Sequence, residues 1–153
     1  MERGVPVKRG WIRILLAAAL WSAAACAQRH DVVVLIDNAG SNVTSLSSVE
    51  VRKLFMGLTV MRGGHALRAL RNDSDRRLEQ IFLQNVVAMS DTTYERRVLG
   101  LALRQGRAPP PAAHSVADLL RKIAHDPELV SFAWASDVAG KPGIRIIRTL
   151  WQE

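Results

Sequence analysis

The sequence predicts an α/β fold: one small mixed sheet flanked by helices, in a single domain. Three observations carry this. A run of β-branched apolar residues, Val32–Ile36, reads as a strand buried on both faces, the pattern of a parallel sheet. Segments with apolar residues at helical spacing then alternate with short extended pieces. The chain is 153 residues long with 48% hydrophobic and 23% charged residues, enough for one core and unlike a disordered chain.

The elements follow in order. Asp37-Asn38-Ala39-Gly40 closes the first strand, and Ser41, Asn42, Thr44 and Ser45 form a polar loop. Ser47 or Ser48 is placed to cap a helix with Glu50 in its first turn, Val51, Leu54 and Phe55 on its apolar face, and Gly57 at its end. Gly63-Gly64 predicts a turn between two extended pieces, with 66–70 as the second strand of the sheet. Asp73 or Ser74 can cap the next helix, which presents Leu78, Ile81, Phe82, Val86 and Met89. Ser90-Asp91 opens another, carrying Tyr94, Val98, Leu101 and Leu103 and ending near Gly106. Pro109-Pro110-Pro111 imposes an extended connector. Ser115 caps a helix that stops before Pro127; 130–135 is a strand, 140–143 a turn, and 144–148 a closing strand. The predicted order is β-α-β-β-α-α-α-β-β.

Residues before this domain have another character. Arg3, Lys8, Arg9 and Arg13 face one acid, Glu2, and residues 14–27 are apolar except Ser22, with small residues at their end. This is the pattern of a secretory signal over 1–27, shorter than the roughly 20 apolar residues of a membrane span. Cleavage after Ala27 would start the chain at Gln28 and leave a soluble periplasmic protein. Alternatively, Ala23-Ala24-Ala25-Cys26 resembles a lipobox without its usual leucine, which makes 1–25 the signal and Cys26 the lipidated first residue.

The charge divides along the same line. The chain carries +7, of which +3 falls in residues 1–26, leaving about +4 on the domain. That modest excess, together with export, argues against a nucleic-acid partner. The single cysteine excludes an internal disulfide framework and a thiolate zinc site. His30, His65, His114 and His125 lack metal-ligand spacing, and no nucleophile elbow or phosphate loop occurs, so no enzyme, metal or cofactor is expected. His125 reads as a cation at a helix C-terminus, Trp134 and Trp151 as core or rim aromatics, and Arg96, Arg97 and Arg104 as a solvated face.

Over residues 31–150 the chain resembles small exported proteins related to the substrate-binding component of phosphate ABC transporters, the type 2 periplasmic-binding-protein-like family. The first strand with Asn38 and its Ser-rich loop, the segment Ser45–Gly57, the run Asn72-Asp73-Ser74-Asp75-Arg76-Arg77 before Ile81-Phe82, and Gly106-Arg107-Ala108-Pro109-Pro110 carry the likeness. The family's turn tryptophan is absent, with Met61 nearby instead, and Leu129–Trp134 lacks a glycine of the corresponding strand.

The resemblance implies a one-lobe periplasmic-binding-protein-like domain over 28–153. It also implies a solute-binding function related to phosphate or another oxyanion, with an ABC transporter membrane component as partner. An envelope accessory protein that keeps the fold without the ligand is the alternative. In such receptors hydroxyls and helix N-terminal N–H groups hold the anion. The candidates here are Ser41, Asn42, Thr44 and Ser45 after the first strand, and Ser74, Arg76 and Arg77, with Asp73, at the second helix start. Ser74 would donate its hydroxyl and the arginines charge-assisted bonds. One lobe is too small to close a clamp by itself, and the sequence leaves the oligomeric state open.

Overall fold

The computed structural model describes residues 32–153; the signal expected over 1–27, Gln28 and Cys26 lie outside the described residues. The fold is mixed α/β. A five-stranded sheet in the order β2 (Val60–Arg62), β3 (His65–Ala69), β6 (Leu129–Trp134), β1 (Val32–Asn38), β7 (Ile144–Gln152) carries helices on both faces.

β1 (Val32–Asn38) runs down the sheet between β6 (Leu129–Trp134) and β7 (Ile144–Gln152), antiparallel to both. Within this sheet β3 (His65–Ala69) pairs in parallel with β6, unlike the other described pairs. The apolar run therefore misled about direction. It records burial on both faces, which helices enforce whichever way the neighbours run. Val33 and Leu35 enter one core layer, and Val34 and Ile36 enter the other.

The larger layer is built by α1 (Ser48–Phe55), α2 (Arg76–Phe82) and α3 (Asp91–Gln105). At its centre Phe55 meets Phe82 edge-on at 4.7 Å, and Phe82 stacks on Phe132 at 3.8 Å. Ser47 caps α1 in a reciprocal box with Glu50, as the sequence indicated. β2 (Val60–Arg62) folds back on β3 through Gly63 and Gly64, both at positive φ (56° and 83°), the backbone a tight hairpin needs. α2 widens into a π-helical turn over Leu83–Val87 and breaks at Ala88, in the left-handed region at φ 60°. The single helix expected as far as Met89 is thus interrupted, and Asn85 Nδ2 donates to the Ile81 carbonyl there. Ser90 caps α3, which buries Tyr94, Val98 and Ala102; Leu103, expected on its apolar face, is 76% exposed.

The smaller layer consists of α4 (Val116–His125) and a short α5 (Ala135–Val138), which takes Ala135, the last residue of the expected strand, as its first. His125 Nδ1 lies 2.7 Å from the Arg121 carbonyl in the last turn of α4. β4 (Arg71–Asn72) and β5 (Ala112–Ala113) pair in parallel as a two-residue ladder that ties the proline connector to the chain after β3. Among the described residues no helix is long and apolar enough to cross a membrane.

Candidate functional site

The two groups of residues that the sequence nominates for an anion sit at opposite ends of the central strands. Asp37 stands opposite Val130, and Val33 opposite Trp134. Ser41 follows the β1 end beside Val130, whereas Asp75 bonds Trp134. Four residues of strand, about 13 Å, separate these ends.

At the first end Asn38 organises the loop. Its carboxamide oxygen accepts from Gly40 N–H (2.7 Å), and its nitrogen donates to the last carbonyls of α4, Ile123 (3.0 Å) and Ala124 (2.7 Å). Ser41 is buried, and its hydroxyl oxygen accepts from Val43 N–H at 3.2 Å. Asn42, Thr44 and Ser45 are exposed. Ser41 and Asn42 line a cavity of about 300 Å³ with His65, Asp126 and Glu128. Two carboxylates in its wall make it a poor place for an anion, although Arg68 pairs with Asp126 at 2.5 Å and reaches Glu128 at 3.7 Å.

The loop then passes along β7, where two arginines take its carbonyls: Arg145 donates to Val43 (2.6 Å) and Arg148 to Leu46 (3.1 Å). Arg145 also grips the wholly buried Asp37 with both arms, at 3.0 and 2.5 Å. That hydrogen bond raises the Arg145 pKa above its ordinary value. Sequence reading passed over this pair. Its signal was an acid closing an otherwise apolar strand.

The second end is the start of α2. Buried Asn72 donates to the Phe132 carbonyl (2.9 Å), and its oxygen accepts both the N–H (3.2 Å) and the hydroxyl (2.6 Å) of Ser74. The Ser74 hydroxyl is therefore spent within the loop. The helix cap is Asp75, not Asp73 or Ser74. Its Oδ1 accepts from Arg77 N–H (2.8 Å) and Leu78 N–H (3.3 Å), and its Oδ2 accepts from Trp134 Nε1 (2.9 Å). Those are the donors that a bound oxyanion would need, and a carboxylate of the chain itself already holds them.

The cations are partly committed as well. Arg77 lies over Trp134 at 5.8 Å and reaches Glu153 at 3.1 Å. Arg71 pairs with Glu79 at 2.5 Å and lies 5.4 Å from the centre of the Tyr94 ring. Burial opposes the Arg71 charge, yet the bond to Glu79 with nearby Tyr94 and Asp73 holds its pKa above the ordinary value. Asp73 faces His114 at 3.1 Å, and Arg76 is exposed. The structure thus gathers Ser74, Arg76 and Arg77 at one turn and leaves Ser41, Asn42 and Ser45 elsewhere.

No protein-family model matches the chain, and no curated protein does. Solved structures do resemble it. An ABC-type phosphate transport receptor of Vibrio cholerae superposes with TM-score 0.58 at 16% identity, over 77% of this chain and 46% of that one. A Clostridium perfringens protein, described as a phosphate ABC transporter substrate-binding protein and solved with bound phosphate, gives 0.56 at 9% identity, over 77% and 44%. A possible phosphate binding protein of Planctomyces limnophilus gives 0.55 at 11% identity, over 77% and 41%. The chain thus spans less than half the length of each neighbour. At these identities the likeness establishes the fold: this chain has part of the architecture of solute-binding proteins.

Proposed function

We propose that the chain is an exported, non-enzymatic binding module related to the phosphate receptors of ABC transporters, and that it acts through protein contacts in the envelope. One observation supports this over a receptor for free oxyanion: the Asp75 carboxylate occupies the N–H groups of the first turn of α2 and the indole N–H of Trp134. An incoming phosphate would meet a fixed negative charge where it needs donors. A second reading keeps oxyanion binding for delivery to a transporter membrane component. It is favoured by the likeness to receptors, one solved with phosphate, and by exposed Arg76 and Arg77 beside that turn.

Isothermal titration with phosphate and with sulfate separates the two. The protein should give no heat at millimolar anion, and Asp75→Ser should gain measurable phosphate binding by freeing the donors. Heat from the unaltered protein that falls at least tenfold in Arg76→Gln would instead establish the oxyanion reading. Mass measurement of the exported protein's N-terminus tells Gln28 from acylated Cys26.

A further inference from the structure

A cavity of about 520 Å³ lies away from both nominated groups, lined by the chain just before β2, the end of β3 and the proline connector. Its volume falls within the roughly 300–1,000 Å³ typical of ligand sites. Leu54, Leu58, Leu67, Ala69 and the ring faces of Pro109 and Pro110 give it a mainly apolar lining.

Strand alternation supplies a polar floor. Arg68 and Leu70 donate their N–H groups toward β6, to the carbonyls of Glu128, just before it, and Val130, within it, both 2.9 Å. Arg71 donates the other way, to the Pro111 carbonyl at 2.8 Å. The N–H and C=O of Ala69 therefore turn toward the connector side. The β2 register ends at Val60 opposite Leu67, and the connector's pairing begins at Arg71 opposite Ala112, so among the described residues no strand stands opposite Ala69 on that side. The sheet has a one-residue gap, and the gap opens into the cavity.

At the rim Arg107 donates to Thr59 Oγ1 at 2.9 Å and has no carboxylate partner among the described residues. A cation at an apolar cavity, beside a backbone amide pair with no strand partner on that side among the described residues, matches a definite chemistry. We propose that this cavity binds the C-terminal end of an extended partner polypeptide: apolar side chains fill it, one backbone unit pairs with Ala69, and the terminal carboxylate meets Arg107. The gap admits one paired residue before β2 and Pro111 block it, which suits a chain end rather than a strand running through. A fatty acid would satisfy the lining and Arg107 but leave the Ala69 amide unmatched.

The proposal rests on the reading of the chain as a protein-contact module, yet its test uses no residue of the α2 turn, so either can fail alone. The probe is a set of N-acetylated hexapeptides alternating Leu, Val or Phe with Ser or Thr, with free or amidated C-termini, titrated against ¹⁵N-labelled protein. Free-acid peptides should shift the amides of Ala69 and Arg107. Amidating the peptide or Arg107→Gln should each weaken binding about tenfold or more, and in Arg107→Gln the two peptide forms should bind alike. Ala66→Phe, which fills the cavity from an exposed strand position, should abolish the shifts while circular dichroism stays native. The proposal is overturned if millimolar peptide leaves the cavity amides unmoved, if neither variant alters binding, or if decanoate shifts these amides and the peptides do not.

Discussion

Tyr94 shows how much one buried hydroxyl fixes. It is the only tyrosine in the chain, it is 1% exposed, and its hydroxyl donates to the Phe55 carbonyl at 2.6 Å. Burial pushes its pKa from 10.0 up to about 12, against the pull of Arg71. The folded state thus favours the neutral phenol. The stability it contributes is fully present below pH 10 and is lost as pH rises through about 12. Phenolate absorbance, read from this one residue, should titrate near 12 in the native protein and near 10 in denaturant. A native midpoint near 10 would show that the hydroxyl is open to water. Tyr94→Phe should flatten the loss of stability between pH 10 and 12 while lowering stability at neutral pH. The same scale explains the displaced cap at α2. Asp73, Ser74 and Asp75 are all capping residues, and local pattern cannot rank them. What decides is Asn72, whose buried amide takes the Ser74 hydroxyl and leaves Asp75 to bond the helix and Trp134. That is a tertiary fact, invisible in the spacing.

Elements with their own start and stop chemistry were legible. Ser47 with Glu50, Ser90 with Gly106, and Ser115 before Pro127 mark three helices, because capping is a local matter of orphan backbone groups. β4, β5 and α5, of two to four residues, carry no periodicity and exist only through pairing and packing. The break after α2 was hidden for a sharper reason: no Gly or Pro marks it, and Ala88 takes φ 60°. For a residue with a Cβ the left-handed region costs about 1–2 kcal/mol, part of which glycine escapes and part of which it returns as unfolded-state entropy. Ala88→Gly should therefore stabilise the protein by about 0.5–1 kcal/mol, and Ala88→Val should destabilise it by more than that. Denaturation midpoints of the two variants check this, and equal shifts of one sign would remove strain as the explanation.

At the scale of the molecule, the alternation of β1 and β6 makes two layers out of one sheet. Val33, Leu35 and Phe132 face α1, α2 and α3, while Val34, Ile36 and Ala133 face α4 and α5. The sequence announced both layers in the unbroken apolar run of β1, but a run that reports burial says nothing about strand direction. The order of the strands was equally out of reach, since β3 and β6 are parallel neighbours whose paired residues lie 61 positions apart. Because each layer is rooted in the same two strands, neither can melt without exposing the backs of residues that hold the other. Asn38 adds a direct tie by binding the end of α4 to the end of β1. Unfolding should consequently be one transition, coincident by circular dichroism and by the fluorescence of buried Trp134. Leu54→Ala in the larger layer and Ile123→Ala in the smaller should each cost about 2–5 kcal/mol and move that single transition with unchanged denaturant slope. If Ile123→Ala instead splits the curve, with helix lost before the Trp134 signal changes, the α4 layer is a separate unit. The sheet would then be a platform on which one face folds without the other.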